Sequence, residues 1–210
     1  MTAAHQREQF ILLNLIPGVT SIQWRRLLEA FTSPDCLCQA TARHLQGVQG
    51  IGPAVAQRIA QGCRDRQALE RELALAARAG VAIVTLADAG YPEPLRQIPD
   101  PPLALYIKGS LSPSDGIAVG VVGSRYPSAY GMQTAERLGH DLARHGVTVV
   151  SGLARGIDGA SHRGALKAAG HTIAVLGSGL AALYPERNKK LAQEIIKAEG
   201  AVISEYPMQT

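Results

Sequence analysis

The strongest constraint on the fold is an alternation of short apolar runs with helical patterns through residues 116–210. Each run is rich in β-branched residues and bounded by glycine or polar residues, as buried strands are. Alternation of strand and helix predicts a parallel sheet with crossover helices. Gly146, Gly170 and Gly200 follow the helical patterns and are predicted C-terminal caps. The predicted strands are Ile117–Val122, Thr148–Ser151, Thr172–Leu176 and Ala201–Ser204, and the predicted helices are Gly131–His145, Asp158–Ala169 and Arg187–Ala198.

Three of these strands end in loops of small residues, two of which carry arginine. The carboxyl ends of parallel strands meet at one edge of a sheet, where ligands bind. Glycine allows close backbone approach, a helix start offers N–H groups to an anion, and arginine grips phosphate with paired hydrogen bonds. Three converging loops are far more specific than one, so we predict a phosphate site. Its residues are Gly123, Ser124 and Arg125, then Ser151, Gly152, Arg155 and Gly156, then Gly177, Ser178 and Gly179.

Two other patterns in this region carry less weight. Residues 177–182 formally fit the dinucleotide fingerprint Gly-x-Gly-x-x-Ala, but Pro185 follows closely and this is not the first strand-to-helix turn. Asp158 and His162 lie four residues apart at a helix start, which favours a cap and an ordinary side-chain pair over a catalytic dyad. The sequence contains no metal cluster and no nucleophile elbow, so we predict no metal, no cofactor and no enzymatic activity.

The first 78 residues are helical by pattern and contain an internal repeat. Residues 16–28 align with residues 48–60, each copy having a glycine turn before a helix start. The second copy fits the helix-hairpin-helix motif of DNA-binding proteins, whereas the first has Thr20 in place of a glycine. In that motif the hairpin amides meet a DNA phosphate without reading bases. A purely structural or protein-docking role carries about equal weight. The implied contact residues are Gly50, Gly52 and Arg58.

Between these regions, two further apolar runs predict strands. Val81–Thr85 and Leu103–Gly109 need burial and should extend the sheet rather than form a flexible linker. We therefore predict a helical domain at residues 1–78 and a Rossmann-like α/β domain at residues 79–210. The proline-rich stretches between the two runs exclude regular helix and central strand there.

Composition is compatible with a nucleic-acid partner without being diagnostic. Residues 1–78 and 116–210 each carry a net charge of +3, and residues 79–115 carry −2. Three cysteines without metal-type spacing indicate a reducing compartment. The N-terminus has no signal-peptide pattern, and no apolar run has the length of a membrane helix. We therefore predict a cytoplasmic protein without a membrane partner.

The ordered motifs resemble the bacterial DNA-processing protein family DprA, also called Smf. The resemblance implies an extended Rossmann domain behind a small helical domain. It also implies binding and protection of incoming single-stranded DNA in natural transformation, loading of the RecA recombinase, and homodimer formation. By this resemblance Arg125 contacts a DNA phosphate, and Asn188 joins the site. The motifs occupy residues 121–131, 149–158, 162–166, 173–180, 184–188 and 204–207.

One departure concerns the C-terminus. The family continues past Ser204-Glu205-Tyr206-Pro207 with a Gly-x-Phe-x-x-Arg-Asn-Arg stretch and further βα units, whereas this chain stops at Thr210. We therefore expect a truncated family member that lacks part of the DNA site and the dimer surface.

An enzyme acting on a nucleoside phosphate is the alternative. Related Rossmann proteins of the phosphoribohydrolase type use similar glycine loops, and Asp158 or Glu205 would then be the acid/base group. Their signature Pro-Gly-Gly-x-Gly-Thr-x-x-Glu is absent from this sequence. The DNA-binding interpretation is therefore preferred.

Overall fold

The computed structural model describes residues 3–112, 116–182 and 186–210. The chain divides into two compact units. The first comprises the residues up to Arg78 together with Ile83–Leu105, and the second comprises Ala79–Ala82 with Tyr106–Thr210. The proline-rich stretches therefore belong to the helical unit. Among the described residues, no helix is long and apolar enough to cross a membrane.

The first unit consists mainly of short helices around an aliphatic core. Leu13, Leu27, Leu37, Leu45 and Ile59 are completely buried in this core. Its composition follows from the scarcity of aromatic residues, which make up 4% of the chain. The helices are α1 (Ala3–Asn14), α2 (Ser21–Ala30), α3 (Pro34–Gln39), α4 (Ala42–Gln46), α5 (Pro53–Gly62), α6 (Arg66–Ala79) and α7 (Glu93–Arg96).

Hydroxyl side chains start three of these helices. The side chains of Thr20, Ser33 and Thr41 each accept a hydrogen bond from a backbone N–H three residues later. Such caps satisfy donors that have no partner within the helix. At α2 the arrangement is a full capping box, because the Gln23 side chain also accepts from the backbone N–H of Thr20.

A six-stranded sheet has the order β1-β2-β6-β5-β4-β3. Strands β3 to β6 are parallel, as predicted, while β2 runs antiparallel to β6 with Tyr106 opposite Ser204. The two runs of the connecting segment extend the sheet, as expected. The strands are β1 (Ala82–Thr85), β2 (Ala104–Gly109), β3 (Ala118–Gly120), β4 (Thr148–Ser151), β5 (Thr172–Leu176) and β6 (Ala201–Ser204).

The helices between the parallel strands lie close to their predicted bounds. They are α8 (Ala129–Arg144), α9 (Ile157–Lys167) and α10 (Lys189–Lys197). Helices α8 and α9 pack tightly because glycines face the partner backbone. A Cβ atom at Gly139 would clash with the carbonyl of Ser161, and one at Gly164 would clash with that of Glu136. The predicted architecture, a helix-hairpin-helix unit before a mostly parallel α/β sheet, is confirmed.

Two details of the prediction were wrong. The first parallel strand was expected at Ile117–Val122 but is limited to β3, an exposed strand that ends the row of described strands. Gly170 and Gly200 were expected to be the C-terminal caps, yet Ala169 and Glu199 take the positive φ that such a cap requires. Both glycines lie one residue later, where a Cβ would press on neighbouring backbone atoms, so close approach explains them better.

Candidate nucleic-acid interface

Three loops meet where β3, β4 and β5 end, and they enclose a cleft of about 290 Å³. We call it the carboxyl-edge cleft. It combines backbone from glycine-rich loops with two arginine side chains, as an anion site at the edge of a parallel sheet should. Its lining residues are Arg125, Tyr126, Gly152, Ala154, Arg155, Gly177 and Ser178.

The first loop is held in place through Ser124. The backbone carbonyl of Ser124 accepts from the Ile157 N–H at 3.2 Å. The Ser124 hydroxyl accepts from the Tyr126 N–H at 3.1 Å. A Cβ at Gly123 would lie 2.7 Å from the Ile157 side chain, and one at Gly156 would clash with the Ser124 carbonyl. These two glycines thus serve the packing of one loop against the next and do not line the cleft.

The second loop is fixed by polar contacts on both sides. The Asp158 carboxylate accepts the Gly152 N–H at 3.1 Å, and the buried hydroxyl of Ser151 donates to the Val121 carbonyl at 2.6 Å. Asn188 donates its side-chain N–H groups to the carbonyls of Leu153 and Ala154, at 2.7 and 3.2 Å. In this structure the side chains of Ser151 and Asn188 therefore bond to backbone carbonyls and do not line the cleft.

The arginines of the cleft are available for a ligand. Arg125 is exposed. The Nε atom of Arg155 is buried and has no hydrogen-bond partner. Within the described part of the chain, neither arginine forms an ion pair with a carboxylate. A buried guanidinium N–H without an acceptor is costly unless a ligand supplies one. The Nε–H group of Arg155 is therefore a buried donor that no acceptor in the described structure satisfies.

The third loop is tied to the end of the chain. The Ser204 hydroxyl donates to the Ser178 carbonyl at 2.8 Å, and Gly179 packs against the backbone of Pro207 and Met208. A 3₁₀ turn at Leu180–Ala182 follows, and the next α-helix begins only at Lys189. This agrees with rejecting the dinucleotide fingerprint. Pro185, on which that argument drew, lies outside the described residues, as does Tyr184.

Asp158 and His162 do not pair with each other, which corrects the expected side-chain pair. Nor does Asp158 cap α9, whose N-cap residue is Gly156 without a side-chain hydrogen bond. His162 is completely buried, and its Nδ1 lies 2.7 Å from the Thr172 hydroxyl. That hydroxyl donates to the Val149 carbonyl, so the neutral ring donates from Nδ1. Burial lowers the pKa of His162 to about 4, opposed by a backbone group of Ser151.

The carboxyl groups of the enzyme alternative stand apart from the cleft. Neither Asp158 nor Glu205 belongs to its lining. Asp158 is 6% exposed and committed to the Gly152 N–H. Partial burial raises the pKa of Glu205, which follows β6.

In the helical unit, the predicted contact residues sit in the second of two hairpins, which are hydrogen-bonded to each other. Arg58 of the second copy donates to the carbonyls of Pro17 and Gly18, at 3.0 and 3.2 Å. Arg26 of the first copy donates to the Gln49 carbonyl at 3.1 Å. The glycines matched by the repeat both turn with positive φ, +68° at Gly18 and +86° at Gly50. Arg58 is thus bonded within its own unit, while Gly52, the N-cap residue of α5, makes no side-chain cap.

The predicted phosphate site left out three residues of the cleft region. Tyr126 and Ala154 line it, and Asp158 fixes its second loop. Tyr126 directly follows Arg125, so its proximity to the first loop was a usable signal. The role of Asp158 had no such signal, because its partner is a backbone N–H on a preceding loop.

Comparison with known proteins was consistent with this geometry. Residues 82–210 match the family model of DNA recombination-mediator protein A. The chain belongs to this family, DprA/Smf. Residues 10–65 match a SAM-like helix-hairpin-helix tandem, in agreement with the repeat.

Individual relatives are similar over different lengths. The chain is 33% identical to Protein Smf of Synechocystis over 98% of its own length and 52% of the relative's. It matches the crystal structure of DNA processing protein A from Streptococcus pneumoniae with a TM-score of 0.71 and 31% identity, covering 99% of this chain and 68% of that one. The chain thus spans about half the length of the curated relatives it matches.

A second solved structure concerns single-stranded DNA binding. It is the DNA processing protein A from Helicobacter pylori, which is described as having a distinctive mode of binding single-stranded DNA. The match has a TM-score of 0.51 and 34% identity, and it covers 60% of this chain and 56% of that one. The chain therefore belongs to a DNA-processing family that includes a protein binding single strands.

Proposed function

We propose that this chain binds single-stranded DNA by holding its phosphate backbone in the carboxyl-edge cleft. The observation that carries the proposal is the pair of arginines, Arg125 and Arg155, in a cleft where neither has a carboxylate partner in the described structure. A guanidinium in this state favours a phosphate, to which it can donate two parallel hydrogen bonds.

The backbone around the cleft supports phosphate binding in a second way. Glycine at position 177 keeps a side chain out of the cleft, since a Cβ there would meet open space, whereas a Cβ at Gly152 would lie 2.8 Å from the Asp158 carboxylate. The Gly152 N–H is taken by Asp158, so the arginines and not this amide supply the main contacts. Phosphate contacts position a strand without reading its sequence, so binding should be tolerant of sequence and sensitive to salt.

The wider role follows from family membership and is part of the same proposal. The bound DNA is a single strand taken up in natural transformation. The protein protects this strand and loads a RecA recombinase onto it. In the same proposal the protein works in the cytoplasm and, like the family, forms a homodimer.

We further propose that the chain acts by binding and not by catalysis. Asp158 is committed to the loop, and Glu205 stands outside the cleft lining. A general acid or base must reach the group whose proton it transfers. Incubation with nucleoside monophosphates should release no free base, and release of a base would contradict this part of the proposal.

The test is fluorescence anisotropy of labelled oligonucleotides titrated with the whole chain. Single strands should bind more tightly than duplexes, and affinity should fall with rising salt. Arg125→Ala and Arg155→Ala should each weaken binding by about tenfold, since each removes a charge-assisted contact of more than 1 kcal/mol. Circular dichroism should show both variants folded. Undiminished binding by both would move the site away from the cleft.

A further inference from the structure

The tyrosines are distributed unevenly between the core and one edge of the sheet. Two of the five tyrosines that the structure describes, Tyr91 and Tyr106, are buried. The Tyr91 hydroxyl donates to the Pro102 carbonyl, and the Arg96 guanidinium lies 5.1 Å from the centre of the Tyr91 ring. The other three are exposed, and each follows the carboxyl end of a parallel strand or begins the helix after it. They are Tyr126 at 83% exposure, Tyr130 at 76% and Tyr206 at 46%.

Tyr126 differs from the other exposed tyrosines because it lines the carboxyl-edge cleft. It does so together with Arg125 and Arg155. An aromatic ring left largely in water loses the burial that usually stabilises it, at about 25 cal/mol per Å² of apolar surface. A ring placed in this way beside two arginines has a face available to a flat ligand group.

The backbone that carries Tyr126 is fixed in advance. Its N–H is bonded to the Ser124 hydroxyl at 3.1 Å, and the Ser124 carbonyl is bonded to the Ile157 N–H. Pro127 follows directly and packs close to Gly156. With the backbone held on both sides, only the two side-chain torsions of Tyr126 remain to be ordered, which keeps the entropic cost of stacking low.

We propose that Tyr126 stacks on a nucleobase of the strand whose phosphates Arg125 and Arg155 hold. This inference rests on the proposed function and adds base contact to it. Stacking on an aromatic ring is available to any unpaired base and denied to a base inside a duplex, so Tyr126 provides preference for single strands. The arginines cannot provide that preference, because duplex and single strand both carry phosphates.

The experiment compares two labelled strands of the same length, an oligothymidine and a strand of abasic sites. The wild-type chain binds the oligothymidine more tightly, and Tyr126→Ala weakens that binding by about fivefold or more while leaving the abasic strand within about twofold. Tyr126→Phe keeps the ring and binds like the wild type. Tyr130→Ala is the matched control, because Tyr130 is almost as exposed but does not line the cleft.

The outcomes separate this inference from the proposed function. Arg125→Ala should weaken both strands alike, because it removes a phosphate contact. An equal loss on both strands for Tyr126→Ala would mean that Tyr126 acts through the loop and would overturn the inference, as would no loss at all. An equal effect of Tyr130→Ala would overturn the assignment to the cleft. If the wild type bound neither strand, the proposed function would fail first.

Discussion

Glycine and arginine occur together in two regions of this molecule, and the structure uses them in opposite ways. In the hairpins of the helical unit, Arg26 and Arg58 donate to backbone carbonyls of the opposite hairpin. In the carboxyl-edge cleft, Arg125 and Arg155 form no ion pair within the described residues, and one guanidinium N–H is buried without a partner. The first pair holds a fold together, and the second pair is available to a ligand.

Backbone N–H groups are already engaged in both regions, so the arginines make the difference. Helix α2 satisfies its own N–H groups with Thr20, and its capping box leaves little for an outside anion. At the cleft, Asp158 occupies the Gly152 N–H but leaves the arginines unpaired. A glycine hairpin beside an arginine is therefore not in itself a phosphate site. The comparison shows that the decisive property is whether the donors are already engaged.

The largest expected effect concerns His162, which is buried in α9 and hydrogen-bonded to Thr172 at the start of β5. Burial lowers the pKa of His162 from the ordinary 6.5 to about 4. His162 therefore binds fewer protons in the folded state than in the unfolded state. The contribution of neutral His162 to the free energy of unfolding is therefore fully present above pH 6.5, and it is lost as the pH falls toward 4. That loss is about 3 kcal/mol in the free energy of unfolding. Urea titrations at several pH values across this window should measure it.

His162→Gln is the control for this pH dependence, since it cannot titrate. The other histidines are the same in both proteins, so the difference between the two curves isolates His162. Parallel curves for wild type and variant would contradict the prediction. If the variant does not fold, the ring of His162 can be followed in the wild type by NMR, and protonation of the folded protein above pH 6 would also contradict it.

Arginine substitutions test the comparison directly. Arg125→Ala should leave the melting temperature nearly unchanged and weaken DNA binding by about tenfold, which corresponds to about 1.4 kcal/mol. Arg58→Ala should lower the free energy of unfolding by about 1 kcal/mol, a modest value because its hydrogen bonds are exposed. Its DNA binding should be unchanged.

Both variants need the same two measurements, thermal unfolding and anisotropy with single-stranded DNA at two salt concentrations. Removing a phosphate contact should also reduce the salt dependence, and only Arg125→Ala should do so. Loss of DNA binding by folded Arg58→Ala would break the contrast between the two regions.

The sequence was sufficient to predict the regular elements of the sheet. Thr148–Ser151, Thr172–Leu176 and Ala201–Ser204 were predicted with the bounds observed, because each is a short β-branched run ended by small or polar residues. The strand predicted at Ile117–Val122 was longer than the observed β3. An apolar pattern does not reveal that β3 is the last of the described strands in the sheet order. Burial at the border of a sheet depends on neighbours that local sequence does not encode.

For the candidate site, the sequence predicted which loops converge but not which donors are free. Arg58 and Arg125 both follow a glycine-rich loop, and local sequence cannot distinguish them. The partners of Arg58 are carbonyls about forty residues away, at Pro17 and Gly18. Asp158 was likewise interpreted through its neighbour His162, whereas the structure pairs it with Gly152. Long-range partners decided each case.

A smaller effect is expected from the helix caps of the two regions. Thr20→Ala removes the cap of α2 and should lower the free energy of unfolding by about 1 kcal/mol without changing DNA affinity. Ser128→Ala removes the equivalent cap of α8, which follows the first loop of the cleft, where Ser128 accepts from the Gly131 N–H at 3.1 Å. It should cost a similar amount and also weaken DNA binding. Equal DNA affinities for the two variants would contradict the prediction.

The smallest effect, at the uncapped start of α5, tests whether the helical unit contacts DNA at all. Gly52 has extended backbone angles, and a Cβ there would meet open space, so Gly52→Asp should be tolerated. The new carboxylate can cap α5 and should raise the free energy of unfolding by a few tenths of a kcal/mol. It also places negative charge where a hairpin phosphate would bind.

Gly52→Ser adds a cap without the charge and is the matched control. If binding lies in the carboxyl-edge cleft, both variants should keep wild-type affinity within about twofold. A marked loss of DNA affinity for Gly52→Asp alone would mean that the second hairpin holds a phosphate through its backbone amides even though Arg58 is engaged. The contrast between the two regions would then be limited to their arginines.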